Sequence, residues 1–460
     1  MAQTASNEIE RGSWGSRIGF ILAAAGSAIG LGNIWRFPYV TGENGGAIFV
    51  LIYVACVLFI GLPVMIAELT IGRHTQRNAI GAFEALAPGS AWKLVGVLGV
   101  VTGIGILSFY SVVAGWTVGY FVKTFAGEFS GSVSAAQSEA IFREFVSNPW
   151  VAILLLGLFI GATMYVVGGG VSEGIEKWSK ILMPALFCIL LLLTAYALTL
   201  EGARKGLEFY LRPDPSKIRA ATFAKALGQA LFSLSLGMGA MITYGSYLPS
   251  HQRVPLSAFQ VALFDTLVAL LAGLVIFPIL FSMGLNPAGG PGLVFVVLPT
   301  IFGKMPLGWL FGTLFFVLLA LAALTSTISL LEVPVAFFVD EKGWSRRRAV
   351  LSMGSLAFVL GIPSALSQGG ISALSSLPGI RIGFLDLMNA VFGNYCLTIG
   401  SLFIALFVGY RWGVEKALAE IERGGGRFAF RAVWAALIRY VCPVAVIVIL
   451  GYILVTGQYF

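Results

Sequence analysis

Residues 26–44 read Gly-Ser-Ala-Ile-Gly-Leu-Gly-Asn-Ile-Trp-Arg-Phe-Pro-Tyr-Val-Thr-Gly-Glu-Asn. The stretch is apolar enough to enter a bilayer and poorly built as one continuous helix. Gly26, Gly30 and Gly32 fall within seven residues, and each glycine costs about 1 kcal/mol relative to alanine in a helix interior. Asn33 and Arg36 lie in the same lipid-compatible segment, and Pro38 blocks helical continuation. Amide and ionisable groups at membrane depth are expensive and default to a functional reading. Glycine also lets backbone approach a ligand closely. Unsatisfied backbone at that depth is tolerated only where it lines a cavity. The stretch therefore predicts a broken transmembrane helix lining a site.

The rest of the chain fits that reading. Its 460 residues are 58% hydrophobic and 11% charged, against about 25% charged in a soluble domain. Mean hydropathy is +0.91. The net charge of +8 reads as Lys and Arg in cytoplasmic loops rather than as nucleic-acid binding. Cys56, Cys188, Cys396 and Cys442 lie far apart in apolar runs, with no C-x-x-C, which argues against a disulfide framework or metal site. His74 and His251 fall in polar breaks and read as loop residues. The N-terminus is polar through Trp14 and shows no removable signal peptide.

A bilayer-spanning helix needs about 20 apolar residues. The runs between charged breaks predict about eleven spans, an all-α polytopic membrane protein, numbered here in chain order. Their approximate cores are 15–40, 46–70, 93–123, 149–170, 178–200, 219–248, 256–284, 306–338, 347–364, 383–410 and 432–456. Arg11 and Arg17, Arg73 and Arg77, Lys177 and Lys180, Arg253, Lys342 with Arg346–Arg348, and Arg411–Arg431 all fall on one side. That side and the N-terminus are expected to be cytoplasmic, and the C-terminal Gln458-Tyr459-Phe460 external. The basic loop from Glu201 to Arg219 is the exception, expected outside. The larger external connections fall near 126–148, 201–218 and 285–305. The last contains the helix breaker Asn286-Pro287-Ala288-Gly289-Gly290-Pro291-Gly292 and could fold back as a lid.

Span 6 repeats the feature of span 1. Its Gly237-Met238-Gly239 sits mid-span, as Gly30-Leu31-Gly32 does five spans earlier. Matching interruptions in two halves point to an inverted repeat with a midplane site, although small residues also serve helix packing. Span 8 carries Ala322-Ala323-Leu324-Thr325-Ser326-Thr327. Its hydroxyls either bond back to a carbonyl one turn earlier or supply oxygens to a hard cation. Asp265 is the only charge between Arg253 and Lys304, about 13 Å into span 7. It needs a cation such as Na⁺, or a proton. Tyr110 offers a phenol at mid-membrane depth, to a ligand or to a nearby carbonyl. Arg36 with Asp386, and Arg11 with Asp340, are either gate pairs or ordinary interfacial charge.

The runs GSAIGLGNIWRFPY (26–39), ENGG (43–46), FSLSLGMG (232–239) and LTS (324–326) resemble the neurotransmitter:sodium symporter family, above all its bacterial amino-acid transporters. The resemblance spans nearly the whole chain. It implies one transporter domain (1–460) with the five-plus-five inverted-repeat (LeuT-like) fold and discontinuous helices 1 and 6. The first repeat would span 11–200 and the second 219–410, with an additional helix at 432–456. The resemblance also implies Na⁺-driven alternating access. A first Na⁺ site would use Ala28, Asn33, Ser233, Asp265 and the substrate carboxylate. A second would use Gly26, Ile29, Ala322, Thr325 and Ser326. Substrate would lie against Ser27, Ala28, Gly30, Ile106, Tyr110, Phe232, Ser235, Met238, Ser326 and Leu330. Tyr110 and the backbone around Gly32 would hold its carboxylate, and Phe232 would be an aromatic lid. Arg36 and Asp386 resemble an outer gate with Gln229 nearby. Arg11 and Asp340 resemble an inner gate beside Trp14 and Tyr247.

Two departures from relatives sharpen the expectation. Asp265 stands where many members have Asn, so a fixed charge would replace the chloride of animal members. Gly30 stands where monoamine carriers have Asp, so the substrate should bring its own carboxylate. Ile106, Phe232, Met238 and Leu330 are apolar, and Met is adaptable. The expected activity is chloride-independent, Na⁺-coupled symport of neutral, hydrophobic (aliphatic and aromatic) L-amino acids across the bacterial inner membrane. The expected partners are the amino acid, two Na⁺ and the lipid bilayer, with no nucleic acid. The alternative on the same fold is a non-transporting amino-acid sensor. An enzyme would need a nucleophile–base or metal constellation, for which the chain offers no good candidate.

Overall fold

The computed structural model describes residues 12–131, 133–285, 287, 292–379, 381–423 and 426–457. Arg11, most of the expected lid at 286–292, and residues 458–460 lie outside them. The described residues are helical with no strand. Nine helices are long and apolar enough to cross a membrane, and a tenth forms when Arg17–Ala28 and Gly32–Glu43 are joined across a 50° bend. The remaining expected span, 219–248, is built as two short helices, Ala220–Ser233 and Ala240–Gly245. Both interruptions expected in spans 1 and 6 are therefore present.

Span 1 starts at Ser16, whose hydroxyl accepts the Gly19 N–H, satisfying one of the orphan donors of a helix N-terminus. It breaks at Ile29, where ψ turns to 108°. Pro38 does not end the helix, contrary to expectation. It lies inside the continuous helix Gly32–Glu43, directly after a π-helical turn, Gly32–Arg36, in which the Phe37 N–H bonds the Gly32 carbonyl. That irregularity in the ladder accommodates its missing N–H. In span 6 the break is made by positive φ at Ser235 (54°), Gly237 (83°) and Gly239 (76°). Ser235 carries a Cβ into the left-handed region, at a cost of about 1–2 kcal/mol. Its hydroxyl donates to the Ser27 carbonyl at 2.8 Å, which ties the two broken helices together.

Several elements run longer than the hydropathy suggests. Span 2 continues to Thr75, span 8 to Lys342, and the helix beginning at Phe384 runs to Arg423. His74 is therefore helical rather than a loop residue. Its Nδ1 lies 3.0 Å from Glu420, and Arg73 forms a buried ion pair with the same carboxylate at 2.9 Å. Apolar periodicity cannot register a charged turn that is neutralised by a distant partner.

The ends of spans 2, 6 and 8 meet around one cavity of about 800 Å³, lined by Arg77, Tyr247, Asp340 and Arg346. This is the basic face. The opposite face carries a vestibule lined by Arg36, Tyr39, Trp116, Phe295 and Asp386. The exceptional loop 201–219 packs against the Gly45-Gly46 turn on this far side, where an added Cβ would lie 2.9 Å from Lys217 or overlap the Phe209 carbonyl. Two of its five cations are locally matched, Arg204 by Glu208 and Lys217 by Asp214. The connections at 135–147 and 203–211 are helical (Ala135–Ser147, Ala203–Leu211).

Candidate functional site

Every residue expected to touch a substrate lines one cavity between the broken helices and spans 3 and 8: Ser27, Ala28, Gly30, Gly32, Ile106, Tyr110, Phe232, Ser235, Met238, Ser326 and Leu330. Ser233 and Leu397 complete the lining. No charged side chain is among these residues. The water-accessible volume is about 20 Å³, near the minimum for one water molecule, so the walls are drawn close in this conformation. Gly30 is required at its position. A Cβ there would lie 2.6 Å from the Tyr110 hydroxyl and overlap that of Ser326. The Leu31 N–H donates to the Tyr110 hydroxyl at 2.8 Å. The phenol thus stands at the break in span 1, beside backbone that a carboxylate could reach.

The expected first cation cluster assembles. The Asn33 amide nitrogen donates to Asp265 Oδ1 at 2.7 Å and lies 3.0 Å from the Ser233 hydroxyl. Ser233 lies 2.8 and 2.9 Å from the two Asp265 oxygens. Asp265 is fully buried, and its donors answer the need for a partner. The Asn33 side-chain oxygen accepts the Gly30 N–H at 3.0 Å. Presenting that oxygen to a cation beside Asp265 requires the amide to turn. Ala28 lines the adjoining cavity together with Ser233.

The second cluster also assembles. Thr325 Oγ1 lies 2.9 Å from the Ala322 carbonyl, the ordinary back-bond, and 3.3 Å from the Ile29 carbonyl across the gap to span 1. Ser326 Oγ lies 3.3 Å from the carbonyls of both Ile29 and Ser27. Gly26 packs against Thr325, with room for a Cβ only at 3.1 Å. All these donors are oxygens, the ligand type that hard cations take. Among the described residues no group of three or more His, Cys, Asp or Glu could hold a metal ion.

The gates are only partly as expected. Among the described residues no ion pair joins Arg36 and Asp386, although both line the far-side vestibule. The terminal guanidinium nitrogens of Arg36 are buried, with Tyr39 as their polar neighbour, and its guanidinium carbon sits 4.8 Å over the Phe232 ring. Gln229 does not join them. It donates to the Gly32 carbonyl at 2.7 Å and so braces the break in span 1. Phe232, Tyr110 and Gly32 line both the vestibule and the central cavity, and form the partition between them. On the basic face the Trp14 indole N–H donates to the Tyr244 carbonyl at 3.0 Å, and the Trp14 ring meets Tyr247 edge-on at 6.2 Å. Asp340 accepts the Asn78 N–H at 3.2 Å. Arg11 lies outside the described residues.

Four contributors escaped the sequence reading. Glu68, fully buried in span 2, accepts the Gly237 N–H at 2.7 Å. Glu332, fully buried in span 8, accepts the Tyr247 hydroxyl at 2.7 Å and pairs with Arg346 at 2.5 Å. Both were findable as carboxylates inside apolar runs, by the criterion applied to Asp265. Tyr53, with its hydroxyl 3.3 Å from Asp265 Oδ2, and Leu397 carry no such signal.

These features have counterparts in known proteins. Residues 11–140 and 145–459 match the profile of the family described as "Sodium:neurotransmitter symporter family". A Bacillus subtilis protein described as an uncharacterized sodium-dependent transporter is 43% identical over 95% of this chain and 96% of its own. A Methanocaldococcus jannaschii protein of like description is 33% identical over 90% of this chain and 85% of its own. The crystal structure of MhsT in complex with L-phenylalanine superposes with a TM-score of 0.87 at 46% identity, over 96% of this chain and 99% of that one. With its two broken helices facing each other across a buried cavity, this membrane protein belongs to the sodium:neurotransmitter symporter family, whose members are sodium-dependent transporters and not enzymes.

Proposed function

We propose that the chain is a symporter that couples Na⁺ entry to uptake of neutral, hydrophobic L-amino acids, aliphatic and aromatic. The observation that carries this reading is the central cavity. Its lining holds no charged side chain, its side-chain wall includes Ile106, Phe232, Met238 and Leu330, and its polar end is the Tyr110 hydroxyl at the break in span 1. A zwitterion matches that division. Its carboxylate would sit by Tyr110 and the backbone at Gly32, and its side chain among the apolar residues. The similarity to MhsT, solved with L-phenylalanine, supports the same substrate class.

The two oxygen clusters would each hold one Na⁺, and the substrate carboxylate would complete the first. Asp265 supplies a fixed negative charge there, so transport needs no chloride. The repeats would run over 11–200 and 219–410, each opening with a broken helix, with 432–456 outside them. The basic face would be cytoplasmic in the bacterial inner membrane, with the N-terminus inside and the C-terminus outside. Access from outside would then be controlled at Phe232 and Tyr110, with Arg36 and Asp386 closing above them. Access from inside would be controlled at Trp14, Tyr247, Glu332 and Arg346, with Arg11 and Asp340.

The test is uptake of labelled leucine and tryptophan into proteoliposomes, with an inward Na⁺ gradient against a K⁺ control. Na⁺-driven accumulation is expected, unchanged when gluconate replaces chloride. Binding without accumulation would move the protein to the sensor reading. A clear loss in gluconate would remove the role given to Asp265.

A further inference from the structure

Leu397, in span 10, reaches the central cavity. From Leu397 to Ser401 the same helix touches the break in span 6 backbone to backbone. A Cβ on Gly237 would overlap the Leu397 carbonyl and lie 2.6 Å from the Ser401 hydroxyl. A Cβ on Gly400 would lie 3.1 Å from the Gly237 Cα and overlap its carbonyl oxygen. Two glycines thus face each other with no room for a methyl group on either. Gly237 is also held at its N–H by Glu68 of span 2, at 2.7 Å. The next residue is Met238, which forms part of the cavity wall and is 4% exposed. Gly239 then turns the chain into the following helix, packed so that a Cβ would lie 2.8 Å from Ala79. Met238 is therefore held on a short backbone bridge fixed on both sides.

We propose that span 10 sets the size of substrate the cavity accepts: Leu397 as a wall, and Gly400 as a positioning residue that fixes Met238 through its contact with Gly237. This rests on the functional reading above and extends it to selectivity. A methyl group at Gly400 meets backbone, which cannot rotate aside as a flexible side chain would. The bridge must move off span 10, and Met238 moves with it into a cavity that has little spare volume. The larger substrates suffer first. Removing the Leu397 side chain opens the cavity on the same side and has the opposite effect.

The experiment measures KM and kcat for Na⁺-driven uptake of tryptophan and valine by wild type, Gly400→Ala, Leu397→Ala and the double variant. One methylene in an apolar pocket changes selectivity about tenfold or more. Gly400→Ala is expected to raise the tryptophan-to-valine KM ratio by about tenfold, with kcat for valine little changed. Leu397→Ala is expected to lower the ratio, and the double variant to return it toward wild type. If Gly400→Ala fails to fold, Leu397→Ala alone carries the test. A uniform fall in uptake with the ratio unchanged, or an unchanged ratio in Leu397→Ala, would overturn the proposal and leave the functional reading intact. A wild type that accumulates neither substrate would overturn both.

Discussion

The two oxygen clusters beside the cavity are built from different chemistry. One is organised around the carboxyl group of Asp265, buried and held by Asn33, Ser233 and Tyr53. The other has no ionised group. It consists of the Thr325 and Ser326 hydroxyls near the carbonyls of Ile29 and Ala322. A buried carboxylate must be satisfied at all times, so its donors are in place, and a cation entering there would have to displace them and turn the Asn33 amide. Carbonyls and hydroxyls can wait, because a hydroxyl hydrogen rotates aside and leaves its lone pairs to the ion. On the proposed reading, the charged cluster would bind Na⁺ the more strongly and would have to reorganise to do so. The neutral one would be nearly preformed and weaker.

That contrast can be broken by experiment. The largest effect is expected from Asp265→Asn, which keeps the shape and removes the charge. Charged hydrogen-bonding groups are worth about 1.5–3 kcal/mol, and every 1.4 kcal/mol is tenfold. The Na⁺ concentration for half-maximal uptake should rise by about one to two orders of magnitude, and uptake should become stimulated by chloride. Unchanged Na⁺ demand without chloride would mean that the charge does not serve the ion. Next comes Thr325→Val, which conserves shape and removes one neutral ligand, worth about 1 kcal/mol. A rise of about fivefold in Na⁺ demand is expected, with a Hill coefficient falling toward one. If Na⁺ titration is unaltered, the Thr325 hydroxyl serves only its bond to Ala322. The smallest shift is expected from Tyr53→Phe, which deletes the longest of the contacts to Asp265, 3.3 Å. A change of about two- to threefold is expected, as for one weak neutral donor. A larger effect than that of Thr325→Val would make Tyr53 a principal support of the charged cluster.

The interruptions and the residues in them were legible because their signals are local. Glycines at 30, 237 and 239 in apolar runs mark the breaks, and Gly32 opens the resumed helix. Pro38 misled because the resumed helix Gly32–Glu43 carries it without ending, just after a π-helical turn at Gly32–Arg36. The outer gate was half legible. The charges at Arg36 and Asp386 lie on one vestibule, but whether they meet depends on how the spans lean. Here Arg36 lies over Phe232 instead. His74 was misread because the turn that holds it is stabilised by Glu420, 346 residues away.

By itself, then, the sequence determined a membrane protein of about eleven spans, the breaks in spans 1 and 6, the face that carries the basic residues, and the inventory of oxygens and apolar groups available to a site. Each follows from hydropathy or from backbone preference over a few neighbouring residues. The tertiary structure alone decided which of those groups meet. Asn33 and Asp265 are 232 residues apart and bonded. Glu68 and Gly237 are 169 apart and bonded. Gly237 and Gly400 lie in contact with no space between them. Such meetings depend on how whole helices pack against one another, and close packing between distant segments leaves no periodic trace in either segment.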